Sequence, residues 1–196
     1  ILLSELDLDW YYEFVERSEQ SGRNGEPLSM NYISTQIKKI KRVLRYAEDS
    51  GHCVHSAYKS SSFKAPQETA SEIYLNEEEL SQIRAQELHS EQYSLALTRD
   101  LFMIGAYSGL RVSDYNRLTN DNLHSHNGSE MLEVRCQKTK SIVVIPLHQV
   151  TKSILKKYDG SLPPPQNEQV MNRNLKALGR LCGIDGDIVV ETTKEG

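Results

Sequence analysis

Two cations in this sequence stand where a folded chain seldom leaves one without a task. Arg111 follows an apolar helical run and the Gly109 break, at the entrance to the next helix. Its guanidinium emerges from a nearly buried scaffold, where it could reach an anion. Lys138 lies in Gln137-Lys138-Thr139-Lys140-Ser141, between Met131–Cys136 and Ile142–Pro146, two short apolar runs of β type. A hairpin tip folding back onto the same scaffold would let its lysine reach the same anion. Arg111 and Asp114 also have the spacing of an ordinary ion pair, with Lys138 a solvated hairpin lysine, and the two cations alone leave both accounts standing.

A second group of cations belongs to a helix. Ser29 is a good N-cap, and Ile33, Ile37, Ile40, Leu44 and Ala47 form one apolar stripe that ends at Ser50-Gly51. The remaining faces carry Lys38, Lys39, Lys41, Arg42 and Arg45, with no acid before Glu48. That pattern suits either a solvated face or contacts to a phosphate backbone. Upstream, Asp9 to Glu19 reads as a helix with Trp10, Phe14 and Val15 on one side and Tyr11 behind, broken at Gly22-Arg23-Asn24-Gly25-Glu26-Pro27.

From Ser56 to Ser71 the chain is rich in Ser and Lys and shows little periodicity, which divides it into a helical domain at 1–62, a linker at 63–73 and a second domain at 74–196. In the second domain Asn76 caps a helix opened by Glu77-Glu78-Glu79, and the helix from Ser90 to Tyr107 is too apolar for a surface. A short helix over Val112–Leu118, the hairpin, a helix from Gln149 to Tyr158, the stiff Pro163-Pro164-Pro165 and a helix from Val170 to Leu181 follow. Ile188 to Thr192 reads as the start of a strand. The expected fold is mainly α with a small β-hairpin or sheet, an α+β arrangement.

With 38% hydrophobic and 26% charged residues the composition is that of an ordinary globular protein. No apolar run approaches the roughly 20 residues of a bilayer span, and Ile1-Leu2-Leu3 is too short and acidic in context for a secretion signal, so the expected location is the cytoplasm. Cys53, Cys136 and Cys182 are far apart without a C-x-x-C pair, and His52 and His55 lack a second ligand pair, so neither a disulfide framework, a metal nor a cofactor is expected. The net charge of −4 does not advertise a nucleic-acid binder, but the acids bunch between Glu72 and Glu91, which leaves room for a basic face elsewhere.

The run Tyr107-Ser108-Gly109-Leu110-Arg111-Val112-Ser113-Asp114, with Leu118 and Asn122-Leu123 behind it, resembles the first box of the tyrosine recombinases of the phage-integrase family. Gln137-Lys138-Thr139-Lys140 with Ile145-Pro146-Leu147 is similar to that family's β-hairpin, in the same order along the chain. The basic helix, the linker and the Tyr74–Leu80 start are similar to its core-binding domain, interdomain strand and first catalytic helix. Leu162-Pro163-Pro164-Pro165 with Asn172-Arg173 resembles integrases of conjugative transposons in particular.

The resemblance implies double-stranded DNA at an attachment or core site as partner, a homotetramer on that DNA, and a metal-free reaction. In it a tyrosine attacks a phosphodiester, giving a 3′-phosphotyrosyl link and a free 5′-hydroxyl. It places Arg111 on the non-bridging oxygens, Lys138 as proton donor to the leaving 5′-oxygen, Asp114 behind one of them, and Lys140 with the helix cations Lys38, Lys39, Lys41, Arg42 and Arg45 on backbone phosphates. The family's H-x-x-R box and nucleophilic tyrosine do not occur between Pro146 and Gly196, and none of the ten tyrosines matches the nucleophile's setting, so the chain reads as the middle of a longer protein and inactive alone. Two rivals stand beside this reading: a DNA-binding accessory protein on the same scaffold, and a plain helical interaction module.

Overall fold

A computed structural model describes residues 2–20, 25–70, 73–188 and 192–195. It divides into two compact units, residues 1–73 with 188–196 and residues 74–187.

The first unit is built on α1 (Leu8–Gln20) and α2 (Met30–Asp49). Ser29 caps α2 as its residue type demands, its Oγ accepting from Tyr32 N at 3.3 Å. The stripe behaves as its spacing requires: Ile33, Ile37, Leu44 and Ala47 are buried, with Ile40 at the margin. In α1 Trp10, Phe14 and Val15 pack against the core as their spacing suggests, but Tyr11, read as lying behind them, goes deeper. Tyr11 is buried and donates from its hydroxyl to Lys64 O at 2.8 Å, while Trp10 stacks on Phe14 at the edge. A tyrosine can be placed inside because this carbonyl satisfies its one polar atom.

The stretch read as a linker departs furthest from expectation. Ala57, Tyr58 and Phe63 enter the core of this unit, and Phe63 at 0% exposure lies against Tyr11 and Trp10. Its polar neighbours hid a ring that no solvated linker would carry. Beyond it, β1 (Gln67–Ala70) pairs antiparallel with β5 (Thr192–Glu195), from Gln67 opposite Glu195 to Ala70 opposite Thr192. Asn31 clasps β1 to the start of α2, donating to Glu68 O at 2.9 Å and accepting from Glu68 N at 3.3 Å. The expected strand start at Ile188–Thr192 falls mostly on residues 189–191, and the first half of the expected break at Gly22–Pro27 on residues 22–24, which lie outside the described residues.

The second unit packs α3 (Glu77–Ala85), α6 (Gln149–Lys157) and α7 (Glu168–Leu181) around α4 (Tyr93–Ser108), which buries Leu97, Leu101, Met103 and Ile104. Asn76 and Glu79 make a reciprocal capping box at the start of α3. α4 stops at Gly109, whose φ of 67° is the left-handed conformation glycine adopts without strain, and α5 (Val112–Tyr115) follows at once. The sheet has three strands rather than two, in the order β2 (Leu123–His126), β3 (Ser129–Arg135), β4 (Ile142–Pro146). β2 escapes a hydrophobic pattern because Leu-His-Ser-His offers one apolar residue. Its turn was nonetheless legible: Asn127-Gly128, both at positive φ, is the two-residue hairpin signal.

Among the described residues no helix is long and apolar enough to cross a membrane. Replacing Phe63 with Ala should destabilise the first unit by about 3–5 kcal/mol. Trp10 is the single tryptophan, and its ring centroid lies 6.4 Å from that of Phe63, so its fluorescence should report a urea midpoint moved sharply down. An unmoved midpoint would deny Phe63 its place in this core.

Candidate functional site

Arg111 is held by its backbone and released at its side chain. Gly109 N donates to Gly105 O at 3.0 Å, ending α4, while Arg111 O accepts from Asp114 N at 2.8 Å and Tyr115 N at 2.9 Å, starting α5. α5 can lie this close to α4 because position 105 is glycine. A Cβ there would come within 2.5 Å of Tyr115 Cδ1. The guanidinium itself is exposed, as is Lys138 in the turn after β3.

Asp114 joins the two elements. It is wholly buried, at 0% exposure, and its Oδ1 accepts the backbone N–H of Gln137 at 2.8 Å, the residue before Lys138. Arg117 reaches the same Oδ1 at 3.4 Å and also donates to Arg135 O, so α5 grips the end of β3 twice. The Arg111–Asp114 ion pair of the alternative account is not formed, and what Asp114 holds is the root of the lysine loop. Its Oδ2 is buried without a hydrogen-bond partner. Between α5 and the loop lies a cleft of about 360 Å³ lined by Ser108, Arg111, Asp114, Cys136, Thr139 and Ser141, among others.

The loop is stitched at its base. Cys136 N donates to Ser141 O and Lys140 N to Cys136 O, both at 2.9 Å, and the hydroxyls of Thr139 and Ser141 meet at 2.6 Å. Lys140 takes a φ of 60°, a conformation side chains rarely adopt, so its backbone shapes the turn while its side chain stays exposed. Lys138 is left as a long, free arm on a fixed root.

On α2 of the other unit, Lys38, Lys39, Arg42 and Arg45 are exposed. Lys41 is not equivalent to them. Its Nζ donates to Phe63 O at 2.7 Å and lies 5.8 Å from the Phe63 ring centre, which makes it a support of the core rather than a free cation.

Sequence reasoning missed three polar assemblies in the second unit. Arg117 is one. Another is Asn116, whose amide brackets Gln166 in both directions, donating to its carbonyl at 2.6 Å and accepting its N–H at 2.9 Å, so that the chain after the three prolines is tied to the end of α5. The third is buried Asp100, which gathers Arg99, Lys157 and the Tyr158 hydroxyl. Only the polar type of Asp100 within an apolar helix signalled it in advance. Burial and then Asp100 push the Tyr158 phenol up, a hydrogen bond to Glu77 raises that of Tyr107, and burial raises Tyr115. All three hold their protons more tightly than a free tyrosine, the opposite of what an attacking phenolate needs.

No family model and no curated protein matches the sequence. The fold does match solved structures. A site-specific recombinase, XerH, bound to its difH substrate in a pre-cleavage complex, superposes with a TM-score of 0.64 at 14% identity over 94% of this chain and 56% of that one. The same enzyme with a palindromic difH substrate after cleavage gives 0.62 at 15% identity over 94% and 57%. The chain thus shares its fold with these solved structures and spans a little over half their length.

Asp114→Ala should free the loop root, since a buried N–H left without its acceptor costs about 1–3 kcal/mol. Hydrogen exchange at the Gln137 amide should then speed up by about tenfold or more. Unchanged protection there would mean that Asp114 does not hold the loop.

Proposed function

We propose that this chain acts in site-specific DNA recombination as part of a tyrosine recombinase, and that Arg111 and Lys138 serve one scissile phosphate. The observation that carries the reading is Asp114: one buried carboxylate ties the helix that starts at Arg111 to the loop that presents Lys138. Arg111 neutralises the non-bridging oxygens as the tyrosine oxygen bonds to phosphorus, and Lys138 protonates the 5′-oxygen as its bond to phosphorus breaks. No step needs a metal or cofactor. Exposed Lys140 and the α2 cations Lys38, Lys39, Arg42 and Arg45 take backbone phosphates of double-stranded DNA at an attachment site, on which the protein works as a homotetramer. The DNA-bound recombinase neighbours and the two sequence boxes support this, and the Pro163–Pro165 stretch favours an integrase of conjugative-transposon type working in the cytoplasm.

The test is made in the full-length recombinase carrying this sequence. Arg111→Lys keeps the charge and loses the two-pronged grip, and should slow cleavage on the order of a hundredfold while leaving DNA binding nearly intact. Lys138→Ala should also spare binding, and its cleavage defect should vanish on DNA whose leaving group is a 5′-thiolate, which needs no proton. A Lys138→Ala protein as slow on the thiolate substrate as on ordinary DNA would end the general-acid role.

A further inference from the structure

Arg117 is tied to the lysine loop by a route that leaves Arg111 aside. Its own N–H reaches Asp114 O at 3.4 Å at the end of α5, and Leu118 beside it is buried, so its side chain starts from a fixed point. One guanidinium nitrogen, Nη2, then makes both of its outward contacts, to Asp114 Oδ1 at 3.4 Å and to Arg135 O. Arg135 ends β3, and two residues on lies Gln137, whose N–H donates to the same Oδ1. The loop root is thus held at a carbonyl and at an amide by one charge pair. The carboxylate of that pair is 1% exposed and needs a counter-charge, while the Arg117 side chain is 44% exposed and loses little hydration in supplying it. Arg111 depends on other contacts: the first turn of α5, Tyr115 lying on Gly105, and Asn116 bracketing Gln166.

We propose that Arg117 is a positioning residue for Lys138: its guanidinium sets where the lysine arm begins, and so how well Nζ meets the leaving 5′-oxygen, without itself touching DNA. This rests on the general-acid reading above and extends it to a residue outside both runs that resemble the recombinase motifs. Arg117 gives and takes no proton. As the bond from phosphorus to the 5′-oxygen breaks, the proton still passes from Lys138 to that oxygen, and what Arg117 changes is the fraction of time the donor is in place. Its loss therefore disturbs the lysine branch of the site and spares the arginine branch.

In the full-length recombinase carrying this sequence, cleavage of an ordinary duplex is compared with cleavage of one whose leaving group is a 5′-thiolate, and DNA affinity is measured across a salt series. Arg117→Met keeps a long unbranched stem and removes the charge. It should slow cleavage of ordinary DNA by about tenfold, a part of what a placed proton donor supplies, and cut the thiolate duplex at the unaltered rate. Combined with Lys138→Ala it should cost nothing more, because two residues on one route do not add. Arg117→Lys should recover most of the lost rate, since a single nitrogen makes both contacts and an ammonium can take its place. Should the methionine protein fail to fold, the lysine variant decides: a residual defect that vanishes on the thiolate duplex supports the role, and one that persists there overturns it. An Arg117→Met protein equally slow on both duplexes, or slower still in the Lys138→Ala background, would overturn the inference while leaving Lys138 its task. So would a lowered salt slope, which would make Arg117 a phosphate contact in its own right. If Lys138→Ala alone gained nothing from the thiolate, the general-acid reading would fall and this inference with it.

Discussion

The second unit turns on a single, partly buried hydrogen bond, from the backbone N–H of Gln137 to the carboxylate of Asp114. A charged side chain at 0% exposure is costly unless it has partners, and here the partners are the Gln137 N–H and the Arg117 guanidinium. Asp114 lies in the first turn of α5, so its position and that of Arg111 are set together. Gln137 immediately precedes Lys138, so holding its N–H fixes where the lysine arm begins. Arg117 doubles the connection through Arg135 O.

Around this bond the rest of the unit is support. Gly105 lets Tyr115 lie on α4, the Asn116 amide ties the other end of α5 to Gln166, and the strand pair β3–β4 carries the loop. The free cations, Arg111 and Lys138, project from rigid roots into solvent. For the proposed phosphate site that is the economical state: the backbone is organised in advance and only two side chains would need to settle on the ligand.

Much of this was legible from residue spacing. The α2 stripe, the Ser29 and Asn76 caps, the apolar α4 and the Lys138 hairpin are local patterns, and local patterns survive folding. What sequence could not show were contacts between distant residues. Asp114 has the spacing of an ion pair with Arg111, but it pairs with Arg117 on its other side and holds the N–H of Gln137, 23 residues away. Lys41 stood among cations in sequence and turned out to brace Phe63, and Phe63 lay in a polar stretch whose packing depends on α1. β2, with one apolar residue in four, is a strand only because β3 is beside it. At 14–15% identity the recombinase neighbours share the fold with few of the residues, so the chemistry of the site rests on its own geometry.

The central claim, that Arg111 and Lys138 act on the same phosphate, is tested most directly by a crystal structure of the full-length protein on a duplex carrying its own recombination site. The account predicts one phosphate with the Arg111 guanidinium on both its non-bridging oxygens and Lys138 Nζ within hydrogen-bond distance of its 5′-oxygen, with Asp114 still holding Gln137 N. Lys138 resting on a different phosphate from Arg111, or turned away from DNA, would contradict it.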